Sequence, residues 1–150
     1  MSDQELFKRY QSIDELIEDF GYLDDWEDRY AYLIDLGKGL TGLPENLKSE
    51  EHKVRGCTSQ VWLVHEARQE ADGIVHYFAA DSDAFIVRGL VSIVLSAYSG
   101  KSTEEIQAVN LNSIFTEIGL ERNLSVSRRN GFASMIERVQ GFVKHSDSKC

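Results

Sequence analysis

One cysteine lies in a stretch that is suited to present it for chemistry. The stretch reads Val54-Arg55-Gly56-Cys57-Thr58-Ser59-Gln60-Val61-Trp62, and Cys57 is one of two cysteines in the chain. Gly56 lacks a Cβ atom, so the backbone can turn tightly just before the thiol. A thiol between a loop and a strand can react, because the strand positions it while the loop leaves it some freedom. The plain alternative is a small apolar side chain buried at a turn.

Thiol transfer needs the least additional machinery of the reactions open to Cys57. It requires an accessible cysteine, a fraction in the thiolate form, and a partner that delivers electrophilic sulfur. Arg55 and nearby backbone N–H groups would favour the thiolate. Hydrolytic catalysis would need a histidine beside the thiol. His52 lies in a predicted loop and His76 in a predicted strand, and no signature of such enzymes surrounds Cys57.

The sequence gives little indication of a metal or cofactor site. The four histidines lack the short spacing of zinc ligands, although His52, Asp83 and Cys57 could converge in space. Asp81 and Asp83 are predicted to cap a helix rather than to act as an acid–base pair. The sequence contains no glycine-rich phosphate-binding motif. We therefore expect no metal and no cofactor on this chain.

The elements predicted around Cys57 form an α+β domain. Residues 59–66 and 74–80 are predicted as the strands of an antiparallel hairpin that turns at Asp72-Gly73. A short third strand is expected at one edge, with the residues around Val54 as a candidate, and several helices cover the sheet. The predicted helix caps are Ser12, Asp24 or Asp25, the segment Asp81-Ser82-Asp83, Ser102, Asn112, and Ser125 or Ser127.

Two further features concern the middle of the chain. Residues 40–55 are predicted to form a long polar loop that leads into Cys57. The helix that follows the hairpin is apolar nearly all round, so we expect it to be central and buried. Gly89 within it is predicted to allow close approach of another element, with the sheet as the candidate.

Composition and charge narrow the class of protein. The chain has 150 residues and is expected to form one domain, with a core over about residues 13–143 and mobile ends. Its net charge of −9 argues against nucleic-acid binding, which needs a basic surface. No apolar run is long enough to span a bilayer, and we see no targeting leader. We expect a reducing, cytoplasmic location with no disulfide framework.

Four segments in register resemble the SufE family, sulfur acceptors for cysteine desulfurases. Residues 56–62 resemble the family's G-C-x-S-x-V-W motif, and residues 26–37 are similar to its second helix. Residues 81–90 resemble its D-S-D-A helix start, and residues 127–131 resemble its S-R-x-x-G segment. Four motifs in order are far more specific than any one of them alone.

The resemblance implies an α+β fold similar to that of the iron–sulfur scaffold proteins. It implies a partner that uses pyridoxal phosphate, a cysteine desulfurase of the SufS or CsdA kind. Cys57 would take the outer sulfur of that enzyme's persulfide and pass it to an assembly scaffold or another acceptor. In the family, the cysteine loop is sheltered at rest and swings out when the desulfurase docks.

The same resemblance gives roles to the neighbours of Cys57. The residues expected to support the loop or contact a partner are Gly56, Ser59, Gln60, Trp62, Asp83 and Arg128. The chain departs from the family pattern in an N-terminal extension and in Cys150, which we expect to be incidental. A scaffold role is not expected, because scaffolds use several cysteines and only Cys57 is available.

Two rival hypotheses fit the same residues. The first is a binding module that activates a desulfurase without carrying sulfur. The second is a thiol hydrolase that turns over an ester or peptide by itself. In the leading hypothesis the chain is not a full enzyme, because C–S cleavage belongs to the partner and its cofactor.

Overall fold

Two long strands and one short strand form an antiparallel sheet in the computed structural model. Strands β1 (Val61–Glu70) and β2 (Gly73–Ser82) pair along all ten residues of each. Strand β3 (Lys101–Ser102) pairs with β2, which gives the order β1-β2-β3. The structure describes residue 7 and residues 10–55, 59–120 and 124–148, with side chains up to residue 144.

Six α-helices in these described ranges flank the sheet, so the predicted α+β class is confirmed. They are α1 (Ile13–Gly21), α2 (Trp26–Lys38), α3 (Phe85–Tyr98), α4 (Thr103–Ala108), α5 (Leu111–Glu117) and α6 (Val126–Ser148). The loop predicted over residues 40–55 contains two single turns of 3-10 helix, at Glu45–Leu47 and Glu50–His52. Among the described residues, no helix has both the length and the apolar character needed to cross a bilayer.

Most helix starts follow the capping chemistry read from the sequence. Each confirmed cap accepts a hydrogen bond from the backbone N–H three residues further on. The confirmed caps are Ser12, Asp25, Ser102 and Ser125. The predicted cap at Asn112 is wrong, because the side chain of Asn110 accepts from the N–H of Ser113 and α5 begins two residues earlier.

The predicted cap of α3 is also wrong. The residue at the N-cap position is Ala84, which has no side chain able to cap. Ser82 Oγ accepts from the Ala84 N–H at 3.3 Å, whereas Asp81 and Asp83 point to partners elsewhere. Asp81 and Asp83 therefore bind partners that are distant in the sequence and do not cap α3, although capping preferences favour these residue types at a helix start.

Helices α2 and α3 approach one another closely at two glycines. A Cβ atom on Gly89 would overlap the backbone carbonyl of Leu33, and one on Gly37 would overlap the carbonyl of Phe85. Close approach at Gly89 is confirmed, but its neighbour is α2 and not the sheet. The reason is that α3 is buried over nearly its whole length, with the sheet against one side and α2 against the other.

The third strand lies at the opposite edge from the one that the sequence suggested. The residues around Val54 contribute one isolated bridge, Lys53 with Trp62, beside β1. Strand β3 instead lies beside β2, because Gly100 turns the chain with φ of 79° and donates its N–H to the His76 carbonyl at 2.7 Å. A positive φ of this kind is accessible to glycine at little cost.

A hydrogen-bonded pair of histidines lies between the sheet and α6. Nε2 of His65 is 2.9 Å from Nδ1 of His76, whose own Nε2 is 2.7 Å from Oγ1 of Thr103. The His65 ring stacks on Phe142 with centroids 5.1 Å apart. Burial, helped by the neighbouring His76, lowers the pKa of His65 from 6.5 to about 4. The neutral form of His65 is therefore the one that packs against the helix.

We predict that Gly89→Ala destabilises the protein by about 1 to 3 kcal/mol, because the added methyl group meets immovable backbone at Leu33. Urea unfolding measures this change. Gly141→Ala is the matched control, since a Cβ there meets nothing within 4 Å. It should raise stability by roughly 0.5 to 1 kcal/mol through helix propensity. Equal effects of the two substitutions would contradict the close packing of α2 on α3.

Stability should fall in acid between about pH 6.5 and pH 4 because of His65. In this window the unfolded chain binds a proton on His65 that the folded protein does not, so lowering the pH favours unfolding. Since His65 is only partly buried, we expect a loss of about 1 to 2 kcal/mol. Urea midpoints measured across this window test the prediction. The slope should flatten in His65→Gln, and an unchanged slope would assign the effect to other groups.

Candidate functional site

The two flanks of the cysteine segment are joined at their base. The Val54 N–H donates to the carbonyl of Val61 at 2.8 Å, at the point where strand β1 begins. Residues 56–58 are outside the described residues, so the predicted site residues Gly56 and Cys57 have no structural description. Cys57 lies three positions after Val54 and three positions before Gln60.

Asp83 fixes the C-terminal flank. Its carboxylate accepts from the Gln60 N–H at 3.1 Å and from the Gln60 side-chain amide at 3.4 Å. The Asp83 N–H donates back to the Gln60 carbonyl at 3.3 Å. Both residues are exposed, so the contact is accessible to water and opens at modest cost. The structure thus brings together two predicted site residues and ties the start of α3 to the end of the cysteine segment.

A cavity of about 150 Å³ lies beside Ser59. Apolar side chains from α3 and α6 form most of its wall, and the polar groups come from Ser59 and from the start of α6. Its lining residues are Ser59, Val87, Leu90, Ser125, Ser127, Arg128, Gly131, Phe132 and Met135. The structure therefore brings together Ser59 and Arg128, which are 69 positions apart in the sequence.

Part of the Arg128 guanidinium group lies against this cavity. Its Nη1 atom is buried and has no hydrogen-bond partner among the described residues. Within the same ranges, no carboxylate lies within 4.0 Å of its guanidinium group.

Trp62 lies on the other face of the sheet. Along β1 the side chains alternate, so Val61 and Leu63 face the main core while Trp62 packs in a second cluster with Leu43, Val64 and Ala79. The amino group of Lys48 is 5.8 Å from the centre of the Trp62 ring. Trp62 supports the base of the segment through its bridge with Lys53. A role in partner contact stays a prediction.

A buried ion pair between the end of β2 and α3 could not be recognised from local sequence preference. The Asp81 carboxylate contacts Nη1 of Arg88, accepts from the Leu43 N–H at 3.0 Å, and lies 3.3 Å from the Lys48 amino group. The side chain of Asp81 is 4% exposed. A signal existed in the sequence, because Arg88 is the one cation in the apolar run of α3.

The guanidinium group of Arg88 also joins α3 to the segment after α2. Its Nε donates to the Gly37 carbonyl at 3.0 Å, and its Nη2 donates to the Leu40 carbonyl at 2.7 Å. These bonds satisfy one carbonyl in the last turn of α2 and one just beyond its end. The chain entering the polar loop is thereby held against the first turn of α3.

The described residues hold no group of three or more potential metal ligands. His52 lies in the turn Glu50–His52, and Asp83 is bonded to Gln60. The third member of the suggested set, Cys57, lies outside the described residues. The absence of a metal stays a prediction.

The fold and site define a class: a small α+β domain in which a cysteine-bearing segment adjoins an apolar cavity containing an arginine. The family model named SufE, the Fe-S metabolism associated domain, matches residues 14–143. The chain therefore belongs to the SufE family.

Individual relatives agree with this assignment. An uncharacterized SufE-like protein of Rhizobium etli is 52% identical over 133 residues, which cover 89% of this chain and 90% of the relative. The sulfur acceptor protein CsdE of Escherichia coli is 39% identical over 125 residues, or 83% of each chain. The solution structure of a hypothetical protein from Thermus thermophilus superposes with a TM-score of 0.68. It is 20% identical, and the match covers 94% of this chain and 99% of that one, which supports the fold.

We predict that Asp83→Ala loosens the C-terminal flank of the cysteine segment. Both carboxylate acceptors of Gln60 are removed, so the Gln60 amide should exchange its hydrogen about fivefold faster, equivalent to about 1 kcal/mol. Hydrogen exchange followed by NMR measures the rate. Asp24→Ala is the control, because it removes an exposed carboxylate next to the cap of α2. Equal exchange in the two variants would show that Asp83 does not hold Gln60.

Proposed function

We propose that this protein is a sulfur acceptor of iron–sulfur metabolism that carries sulfur as a persulfide on Cys57. The proposal is supported by membership of the SufE family and by the 39% identity to a relative named as a sulfur acceptor. The observation that carries it is the geometry of the flanks. The cysteine segment is closed at its base, tied to Asp83, and adjoins a cavity lined by Ser59 and Arg128.

The chemistry is a thiol–persulfide exchange. A cysteine desulfurase, which uses pyridoxal phosphate, would present a persulfide on its own cysteine. The Cys57 thiolate attacks the outer sulfur, a new S–S bond forms on Cys57, and the old S–S bond breaks to leave a thiolate on the desulfurase. The transferred sulfur keeps its oxidation state, so the step needs no further oxidant or reductant. The same exchange with a scaffold or another acceptor unloads the carrier.

The remaining parts of the proposal concern the partners. Asp83 bonds to Gln60, and Arg128 lines the same cavity as Ser59, so a docking desulfurase that contacts them would displace the Gln60 bonds and free the segment. If docking releases the cysteine segment, Cys57 can take the sulfur from the desulfurase. The desulfurase cysteine is then free to start a new cycle, which would explain stimulation of that enzyme. The reactive sulfur suits a reducing compartment, for which we propose the cytoplasm.

Replacement of Cys57 distinguishes a carrier from a pure activator. With a desulfurase and free cysteine, we expect an adduct of about 32 Da by intact-mass spectrometry on the wild-type protein, which is one retained sulfur. Cys57→Ser should lose this adduct and all sulfur transfer. Cys150→Ser, the other cysteine of the chain, is the control and should keep both. Full stimulation of sulfur transfer by Cys57→Ser would favour the activating module, and ester hydrolysis by the chain alone would favour the hydrolase.

A further inference from the structure

We infer that the open edge of strand β1 is a self-pairing surface, through which two copies of this chain join their sheets about a two-fold axis at Ala67. The surface lies toward the hairpin end of β1, away from the cysteine segment. The inference goes beyond the proposed function, because it concerns association of the chain with itself and involves no sulfur chemistry.

The direction of the backbone groups along β1 shows where the edge is open. The carbonyl of Val61 points away from β2, because it accepts the N–H of Val54 at 2.8 Å. Alternate residues of an antiparallel strand direct these groups the same way, so those of His65, Ala67 and Gln69 also point away from β2. Among the described residues, these outward groups have no hydrogen-bond partner. A further strand can therefore bind to them.

The limits of the open edge fix the register of such a strand. At one limit, Lys53 bridges to Trp62, and the turn Glu50–His52 precedes it along the same edge. At the other limit, β1 ends at Glu70, where the hairpin turns. Residues 64–70 remain open, and the residue at their centre is Ala67. Antiparallel pairing of a second copy over this stretch places Ala67 opposite Ala67 of that copy.

The backbone groups of the two copies match in this register. Residues with outward groups then lie opposite one another, His65 opposite Gln69 of the second copy and Ala67 opposite its counterpart. Directly opposed residues of this kind exchange two hydrogen bonds in an antiparallel pair. The three opposed pairs thus give about six backbone hydrogen bonds between the copies.

The charged side chains along the edge complement those of a second copy. Within one chain, Nη2 of Arg68 is 2.7 Å from Oε2 of Glu66, two positions away. In the two-fold register, Glu66 lies opposite Arg68 of the second copy, and Arg68 lies opposite Glu66 of that copy. Opposite charges that face each other across two strands stabilise the pair. Charged residues ordinarily deter pairing at an edge, but this spacing of opposite charges favours a copy of the same strand.

Strand β1 also lacks other features that keep edge strands from pairing. It pairs with β2 over ten residues without a bulge, and it contains neither proline nor lysine. Ala67 and Gln69 are exposed, so a second strand can reach them. Pairing of the two edges would join three strands from each copy into one continuous sheet.

Self-pairing keeps the two cysteine segments apart. Val61, where β1 begins, lies six positions before Ala67. At a rise of about 3.4 Å per residue, the α-carbons of the two Val61 residues lie about 40 Å from each other. The dimer would therefore carry one cysteine segment toward each end of the paired strands.

Sedimentation velocity of the full chain at increasing protein concentration tests the inference. We expect a reversible equilibrium between monomer and dimer for the wild type. Glu66→Arg and Arg68→Glu should each weaken the dimer about tenfold or more, because both cross-strand pairs then bring like charges together. A wild type that stays monomeric would overturn the inference and favour a strand of another protein as the occupant of the edge.

A mixture of the two variants separates pairing between chains from effects within one chain. In a mixed dimer, the introduced arginine faces the introduced glutamate, and the remaining Arg68 faces the remaining Glu66. Mixing should therefore restore a dimer of about wild-type affinity, although each variant alone is mostly monomeric. Variants that dimerise as tightly as the wild type, or a mixture no tighter than its components, would show that β1 does not pair in this way.

Cross-linking at the axis tests the register without changing the charges. In a chain that carries Cys57→Ser and Cys150→Ser, Ala67→Cys should give a disulfide-linked dimer on mild oxidation with oxidised glutathione. Ala71→Cys is the control, since Ala71 is exposed at the hairpin turn and its two copies lie about 25 Å apart in this register. Equal cross-linking at the two positions would contradict the two-fold axis at Ala67. Because this chain has no cysteine left to carry sulfur, the result does not depend on the proposed function.

Discussion

The structure around the cysteine segment depends on the buried pair formed by Asp81 and Arg88. A carboxylate that is 4% exposed is held at the end of β2, and the guanidinium group that neutralises it comes from the first turns of α3. Replacing Asp81 would leave the mostly buried Arg88 guanidinium without its carboxylate, and breaking a buried ion pair in this way typically costs about 3 to 5 kcal/mol. The same two side chains bond to the backbone at Leu43, Gly37 and Leu40. The path of the chain into the site is therefore set by this pair.

One turn of α3 connects three parts of the molecule. Arg88 contacts Asp81 at the end of β2, and Gly89 lies against the backbone of α2. Val87 and Leu90 form part of the cavity wall. Because successive helical residues point about 100° apart, adjacent positions can serve different neighbours. A shift of α3 against α2 would consequently change the cavity and the contact between Asp83 and Gln60 together.

Local chemistry explains which parts of the fold were predictable. The caps at Ser12, Asp25, Ser102 and Ser125 depend on residues three positions apart, and the hairpin depends on alternation and on Asp72-Gly73. The cap at Asn112 was misplaced by two residues because Asn110 competes with it.

The larger errors of prediction occurred at residues whose contacts are made with partners far away in the sequence. Asp81 and Asp83 have the residue type of a helix cap, but Arg88 and Gln60 bind them instead. A glycine at position 89 predicts that another element packs closely there, but it does not predict which element. For the site, the family resemblance suggested Ser59, Gln60, Asp83 and Arg128, and the structure records a bond between Gln60 and Asp83 and a cavity lined by Ser59 and Arg128. The sequence did not indicate the cavity, whose walls come from helices far apart in the chain.

The closed base of the cysteine segment limits how far Cys57 can move. Val54 is bonded to Val61, and Gln60 is bonded to Asp83, so both ends of the segment are tethered to the sheet and to α3. Cys57 lies three positions from Val54 and three from Gln60, and an extended chain spans at most about 3.5 Å per position. With both tethers intact, the α-carbon of Cys57 stays within about 10 Å of either one. While these two bonds hold, a partner that reacts with Cys57 must therefore bring its own reactive atom close to Val54 and Gln60.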